Sequence, residues 1–246
     1  MRLLLIIPAY NEQEALGGLL AEIRALPPLG VELSVVVVDD GSADQTADVA
    51  HREGARVVRL CRNLGIGGAV QSGLRLAHRE QFDFAIQIDG DGQHPPSELA
   101  RLIEPALAQR ADLVVGTRYR DSNNFRSTPL RRLGSWWLRV ILRVMLRLRV
   151  SDPTSGFRLY GKRALRLFDE TYPYDFPEPE SLAIARAAGL TVTEVPVTMR
   201  ERQGGTSSIV GFDSIYYMIK VTIAVLLTYV RALGRARKHE VRDAAD

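Results

Sequence analysis

The 246-residue sequence contains only one cysteine, Cys61, so no disulfide can form within the chain and a reducing compartment is expected. It also lacks an uninterrupted apolar run of about 18 residues, the length needed to span a membrane. The nearest run, residues 215–230, contains Lys220. Internal repeats, low-complexity linkers and recognised nucleic-acid-binding motifs are absent too. The sequence therefore predicts one large globular domain, with at most a short appendage.

Hydrophobic and charged residues make up 46% and 25% of the chain, which allows an ordinary core. In the first half, short β-branched runs alternate with segments of helical periodicity. This order predicts an α/β fold, with a mostly parallel Rossmann-like sheet flanked by helices. The predicted strands cover residues 3–7, 33–38, 56–60, 84–88 and 113–116, and the predicted helices cover residues 12–25, 44–53, 67–79 and 96–109. One more strand near residues 190–197 and a long apolar helix are predicted in the second half.

Polar residues follow each of the first five predicted strands, where parallel α/β sheets bind their ligands. The richest of these segments is "DGDGQHPP", residues 89–96. Asp89, Asp91 and Gln93 alternate along extended backbone, so their oxygens can converge on a hard cation. A solvated turn is the simpler alternative for two aspartates at this spacing. An EF-hand is excluded because Ala100 stands where the twelfth-position glutamate is required.

The glycine-rich segment "NLGIGGAV", residues 63–70, suggests a dinucleotide-binding loop. The G-x-G-x-x-G pattern fails, because its third glycine falls at Val70. The segment predicts only a helix start that a ligand can approach closely.

Several motifs together resemble family 2 glycosyltransferases of the GT-A fold, and the polyprenyl-phosphate sugar transferases, such as dolichol-phosphate mannose synthases, are the most similar group. The motifs are "IPAYNE" at 7–12, "VVDDGSAD" at 37–44, "RNLGIGGA" at 62–69, "DGDGQHPP" at 89–96, "VVGTRY" at 114–119, "DPTSGFR" at 152–158 and "RERQGGTSS" at 200–208. The resemblance covers about residues 3–210. It implies a GT-A catalytic domain over residues 1–208 and a C-terminal membrane-interface helix with a basic tail over residues 209–246.

The resemblance also implies residue roles in an inverting transfer from a nucleotide-diphosphate sugar. A Mg²⁺ or Mn²⁺ ion would be bound by Asp89, Asp91 and Gln93. Catalytic roles fall on Asp91, Asp152 and Glu180. The acceptor phosphate would be bound by Arg118, by Arg131 or Arg132, and by Ser135. The nucleotide-sugar would be bound by Pro8, Tyr10, Glu12, Val37, Asp39, Asp89, Gly90, Ser207, and either Arg200 or Arg202.

Residues 118–149 contain nine arginines and a single acid, Asp121, a net charge of +8. Arg139, Arg143 and Arg147 recur every four residues, next to a pair of tryptophans. A basic stripe beside apolar bulk suits an anionic membrane surface, although a helix packed on the sheet with solvated arginines is the alternative. The expected location is the inner face of the cell membrane, with peripheral attachment either directly or through a membrane protein. A homo-oligomer is a further alternative for the partner.

The sequence is compatible with two classes of acceptor, a phosphate and a hydroxyl. A phosphate is already ionised near neutral pH and needs no base, whereas a hydroxyl does. Glu180, with Glu178 nearby, could supply that base for a lipid-linked or cell-surface glycan. These glutamates could equally favour a helix N-terminus. Nucleotidyl transfer also uses paired aspartates, while nucleic-acid binding leaves the strand-end carboxylates unexplained.

Overall fold

In the computed structural model, residues 1–108, 110–118, 129–200 and 213–243 are described, except for the side chains at 129–135, 213–217 and 235–243. The described strands form one seven-stranded sheet in the order β3-β2-β1-β4-β6-β5-β7. They are β1 (Arg2–Ala9), β2 (Glu32–Asp39), β3 (Arg56–Arg59), β4 (Phe84–Gln87), β5 (Leu113–Thr117), β6 (Arg158–Gly161) and β7 (Val192–Pro196).

Helices cover both faces of this sheet. They are α1 (Gln13–Arg24), α2 (Thr46–Arg52), α3 (Gly65–Arg79), α4 (Leu99–Leu107), α5 (Pro129–Met145), α6 (Lys162–Glu170), α7 (Pro177–Ala187) and α8 (Asp213–Asp243). A short 3-10 helix, Pro96–Glu98, precedes α4. The helix predicted over residues 96–109 is therefore divided into two parts.

The side chains of β1 explain why the sheet is covered on both faces. Leu3, Leu5 and Ile7 enter the core shared with α1 and α4. Leu4 and Ile6 enter the second core, shared with α3, α5, α6, α7 and α8. All five are almost completely buried, as expected for a central strand between two helical layers.

The prediction of a mostly parallel sheet is confirmed, with one exception. Strand β6 was not predicted, and it runs antiparallel to both β4 and β5. It inserts between them, so the ends of β4 and β5 are separated by two strand spacings, or about 10 Å. Helix α6 follows directly and was also missed.

The long C-terminal helix lies against the domain rather than away from it. Val221 and Val225 of α8 are buried in the second core, and the indole of Trp137 in α5 donates a hydrogen bond to Oγ1 of Thr222 (3.0 Å). Among the described residues, no helix has both the length and the apolar character needed to cross a bilayer.

Candidate active site

The loops after β1 and β2 form one wall of the candidate site. The amide of Asn11 donates to Oγ of Ser42 (3.0 Å), and the amide of Glu12 donates to Oγ1 of Thr46 (2.9 Å). Asn11 adopts a left-handed conformation, with φ of 56°. Residues 8–12 are thereby fixed beside the end of β2, and Tyr10 remains 48% exposed at the rim.

Asp39, the last residue of β2, is completely buried. Its Oδ1 accepts a hydrogen bond from the amide of Ser42 (2.9 Å). Its Oδ2 lies 3.2 Å from Nε of Arg59, but within the described part of the chain it has no aligned hydrogen-bond donor. A buried acceptor without a donor is rare in folded proteins, so this oxygen is suited to a ligand N–H or hydroxyl group.

Asp40 has a structural role instead. Its two carboxylate oxygens accept hydrogen bonds from the amides of Leu64 (2.7 Å) and Gly65 (2.8 Å), at the start of α3. Burial raises the pKa of Asp40, and these two hydrogen bonds partly oppose the rise. The glycine-rich segment is thus the start of a helix whose amides bind an aspartate. It is not a dinucleotide-binding loop, in agreement with the failed G-x-G-x-x-G pattern.

The two aspartates beyond β4 lie in a turn closed by Gly92, whose φ is 76°. Asp91 is buried, and its Oδ1 accepts the amide of Gln93 (3.0 Å). The Asp89 side chain is 34% exposed, and within the described residues its carboxylate accepts no hydrogen bond. His94 shapes the turn, since its Nδ1 accepts the Asp89 amide (3.1 Å).

The segment leading into β6 passes directly against the Asp89 carboxylate. A Cβ atom added at Gly156 would lie 3.1 Å from Oδ1 of Asp89 and 3.1 Å from Nε2 of Gln87. This Nε2 atom is buried and has no hydrogen-bond partner among the described residues. Any larger residue at position 156 would therefore have to displace these side-chain atoms, although the backbone φ there lies outside the left-handed region and does not itself require glycine.

Arg158 introduces a positive charge beneath this turn and is completely buried. Its guanidinium donates to the carbonyl oxygens of Ser155 (2.7 Å) and Pro153 (3.0 Å) and to Oγ of Ser181 (2.7 Å). These bonds hold residues 153–158 in place. The charge also acts on a nearby carboxylate, that of Glu178.

Glu178 and Glu180 have different surroundings, although both lie in the first turn of α7. Burial raises the pKa of Glu178, the charge of Arg158 opposes the rise, and the charge of Asp89 adds to it. Glu178 is thus electrostatically connected to the site. Glu180 accepts the amide of Phe176 (3.2 Å) at Oε1 and the hydroxyl of Thr228 (2.5 Å) at Oε2. The first contact lies at the start of α7, the second fastens α7 to α8, and together they argue against Glu180 as a base.

Arg118 and Asp152 form a two-pronged ion pair at the end of β5. Nε and Nη2 of Arg118 donate to the two oxygens of Asp152, at 2.7 and 2.8 Å. Asp152 is completely buried. With both oxygens occupied, the carboxylate orients the guanidinium, which argues for a positioning rather than a proton-transfer role.

The other predicted residues lie in the core, at the rim, on the surface, or outside the described parts. Val37 is completely buried in the core beneath α1, so the structure does not support contact between its side chain and the nucleotide. Arg200 forms an ion pair with Glu22 of α1 (2.8 Å), and its amide donates to the carbonyl of Gln93 (2.9 Å). Pro8 and Gly90 are buried at the rim. The side chains of Arg131, Arg132, Ser135, Arg202 and Ser207 lie outside the described residues.

The donor atoms at the turn after β4 suit a hard divalent cation. Two carboxylates and one amide carry oxygen atoms of the kind that such an ion prefers, and those of Asp89 are partly exposed and accept no hydrogen bond from described residues. Within the described residues, no group of three or more His, Cys, Asp or Glu side chains forms a complete metal centre. An ion here would need further oxygens from its ligand, as Mg²⁺ sites that bind nucleotides commonly do.

The sequence patterns assign no role to Gln87, His94, Arg158 or Gly156. The first three are polar or charged residues beside apolar strand segments and become buried. A charged residue inside the predicted core, as in "GFRLY", was the available signal for Arg158.

Comparisons with known proteins identify the family and the fold of the chain. The sequence profile of "Glycosyl transferase family 2" matches residues 4–168. An undecaprenyl-phosphate mannosyltransferase from Micrococcus luteus is 36% identical, over 86% of this chain and 88% of the relative. A polyprenol monophosphomannose synthase from Mycolicibacterium smegmatis is 32% identical, over 89% of this chain and 85% of the relative.

A solved structure shares the fold. Glucosyl-3-phosphoglycerate synthase from Mycobacterium tuberculosis, in complex with Mn²⁺, UDP-glucose and phosphoglyceric acid, aligns with a TM-score of 0.67 and 21% identity, over 95% of this chain and 80% of that chain. The expected GT-A architecture is confirmed by this likeness.

Proposed function

The chain belongs to glycosyl transferase family 2, and from this premise we propose that it transfers a sugar from a nucleotide-diphosphate sugar to a polyprenyl phosphate. The reaction takes place at the cytoplasmic face of the membrane, with the protein attached peripherally. The relatives named above support the acceptor class, because their names specify undecaprenyl phosphate and polyprenol.

One observation carries the proposal. The sheet rim presents two groups suited to phosphate chemistry, on strands two spacings apart. The partly exposed carboxylate of Asp89 follows β4, and the oriented guanidinium of Arg118 follows β5. Their strands are separated by about 10 Å, which leaves room for a sugar between a donor diphosphate and an acceptor phosphate.

On the donor side, Asp39 would accept a hydrogen bond from the nucleoside at its buried Oδ2, with residues 8–12 forming the adjacent wall. Asp89, Asp91 and Gln93 would hold Mg²⁺ or Mn²⁺. When bound, the ion would neutralise the negative charge that builds up on the departing diphosphate. Gly156 keeps the chain close to Asp89 without displacing its carboxylate.

On the acceptor side, Asp152 orients Arg118 but also neutralises its charge. A phosphate therefore requires additional cations, and the first turns of α5 carry Arg131 and Arg132. The phosphate oxygen is ionised near neutral pH, so its attack on the sugar needs no proton acceptor. The contacts of Glu180 with Phe176 and Thr228 agree with a reaction that does not use this carboxylate as a base.

A paired acceptor assay tests the proposal. The purified protein is incubated with Mn²⁺, a panel of nucleotide-sugars, and either a polyprenyl phosphate or the corresponding polyprenol. Sugar should appear on the phosphorylated lipid alone, with release of a nucleoside diphosphate. Equal transfer to the polyprenol, or release of pyrophosphate, would contradict it.

A further inference from the structure

A basic cleft lies away from the carboxylate turn, at the outer edge of the sheet. It has a volume of about 440 Å³ and lies between α5, residues 149–151 and the edge strand β7. Its lining includes Arg139, Arg143 and Arg149. Arg139 and Arg143 belong to the basic stripe predicted from the sequence, but the reaction proposed above uses none of these three arginines.

The chain returns on itself to assemble this cleft. Arg139 and Arg143 are one turn apart on α5 and so share a face. After the helix, Arg147 adopts a left-handed conformation with φ of 52°, and the amide of Leu148 donates to the carbonyl of Leu142 (3.1 Å). This reversal brings Arg149 back beside the other two arginines.

Charge in the cleft is strongly positive. Among the described lining residues the only acid is Glu194 of β7, and its Oε1 already accepts the amide of Ser151 (2.7 Å), the Ser151 hydroxyl (3.1 Å) and the amide of Asp152 (3.0 Å). Within the described part of the chain, neither Arg143 nor Arg149 has an ion pair or hydrogen bond. Planar guanidinium groups gathered in a concave site favour phosphate as a ligand.

Apolar side chains on the same helix indicate where this phosphate comes from. Trp136, Trp137, Val144 and Met145 are 40–69% exposed. Indole rings and aliphatic groups beside basic residues are typical of the membrane interface, where phospholipid headgroups lie. Free phosphate in solution offers no partner for these apolar groups.

The cleft is distinct from the reacting centre. Strand β7 is three spacings from β4, or about 14 Å. It is nevertheless connected to the acceptor side. The Ser151 hydroxyl contacts Oγ1 of Thr117 (2.8 Å). Asp152 follows Ser151 in the sequence, Arg118 follows Thr117, and these two residues form the ion pair described above. A ligand in the cleft would therefore fix the orientation of the acceptor site toward the membrane.

We propose that the cleft formed by Arg139, Arg143, Arg149 and Glu194 binds the phosphate of an anionic membrane phospholipid. This inference rests on the peripheral attachment proposed above and adds the site and the ligand class. The headgroup phosphate is bound by guanidinium forks, while the neighbouring tryptophans contact the lipid chains.

Vesicle sedimentation tests the inference, with phosphatidylcholine vesicles that contain or lack phosphatidylglycerol. The double variant Arg143→Gln/Arg149→Gln should bind the anionic vesicles about 30-fold more weakly, since each basic side chain near such a surface contributes about 1 kcal/mol and 1.4 kcal/mol is tenfold. The control, Arg52→Gln/Arg110→Gln, removes the same charge from exposed positions on the side of the sheet covered by α1, α2 and α4, and should bind like wild type.

A second variant distinguishes specific phosphate binding in the cleft from general electrostatic attraction to the membrane. Arg143→Lys/Arg149→Lys keeps the charge but loses the planar fork, so it should bind several-fold more weakly than wild type. Binding equal to wild type would overturn the proposal in favour of general electrostatics. Displacement from vesicles by equimolar inorganic phosphate at constant ionic strength would also overturn it, by identifying free phosphate as the ligand.

Two parallel measurements keep the conclusions apart. Thermal unfolding confirms that each variant is folded. Sugar transfer by the wild-type protein in detergent, with a short-chain polyprenyl phosphate, reports on the reaction itself. If wild type binds no vesicle, peripheral attachment is wrong; if it binds and all variants bind equally, only the cleft assignment is wrong.

Discussion

Replacing Gly156 by alanine should impair sugar transfer while leaving the fold intact. The added methyl group would lie 3.1 Å from Oδ1 and 3.3 Å from Oδ2 of Asp89. Ordinary van der Waals contact is about 3.5–4.0 Å, so the carboxylate has to move by a few tenths of an ångström. The backbone at this position lies outside the left-handed region and accepts alanine without strain.

The size of the effect follows from this displacement. A misplacement of 1 Å in an active site can cost about 100-fold in rate, so a shift of a few tenths of an ångström should cost about tenfold. In the free energy of activation this is about 1.4 kcal/mol. The apparent affinity for Mn²⁺ should fall along with the rate, because Asp89 is a proposed ligand.

The assay is the initial rate of sugar transfer over a range of Mn²⁺ concentrations, with thermal unfolding measured in parallel. Gly18→Ala is the matched control, because its added methyl group meets nothing within 4 Å on the exposed side of α1. The reasoning is refuted if Gly156→Ala keeps the wild-type rate and manganese dependence. It is equally refuted if the control loses activity to the same extent.

Three further substitutions test individual contacts. Asp152→Asn should lower the free energy of unfolding by about 3 kcal/mol in urea denaturation, because it leaves the Arg118 guanidinium without its carboxylate; unchanged stability would contradict a buried ion pair. The pKa of Glu178 is raised in the folded protein, so the protonated side chain favours the folded state. Its contribution to the free energy of unfolding is fully present below the ordinary pKa of 4.5 and is lost as the pH rises through the raised pKa. Glu178→Gln should therefore gain stability relative to wild type between pH 4 and pH 7, and a pH-independent difference would show that the carboxyl is not perturbed. Glu180→Gln should weaken the α7–α8 contact by about 1–2 kcal/mol, to an extent similar to Thr228→Val, yet leave transfer close to wild type; a large loss of transfer would instead favour a hydroxyl acceptor.

The sheet was predictable because its central strands are continuous apolar runs. Buried strands such as β2 have little choice of face, so the polar residues after them had to meet at one rim. Strand β6 escaped prediction because it follows the glycine- and proline-containing segment 153–156 and its first residue, Arg158, is completely buried in spite of its charge. Two carbonyl oxygens and a serine hydroxyl accept hydrogen bonds from the guanidinium of Arg158, and they become its neighbours only after folding.

For the site, the sequence predicted only groupings of residues that lie close together along the chain. Glu178 and Glu180 are two positions apart on a helix, which places them about 200° apart around its axis. Only the packing of α7 against α8 decides which glutamate accepts the hydrogen bond from Thr228 and which one interacts with the charge of Arg158. The Arg118–Asp152 pair joins residues 34 positions apart, and no sequence periodicity connects them.

Calorimetric titration of nucleoside diphosphates, with and without Mn²⁺, tests the central claim most directly. Wild-type protein should bind a diphosphate only when manganese is present. Asp89→Asn and Asp91→Asn should lose this manganese-dependent binding, while Gly18→Ala retains it. Equal binding by wild type and both aspartate variants, or binding that ignores manganese, would contradict the claim that these two carboxylates hold the ion that binds the donor.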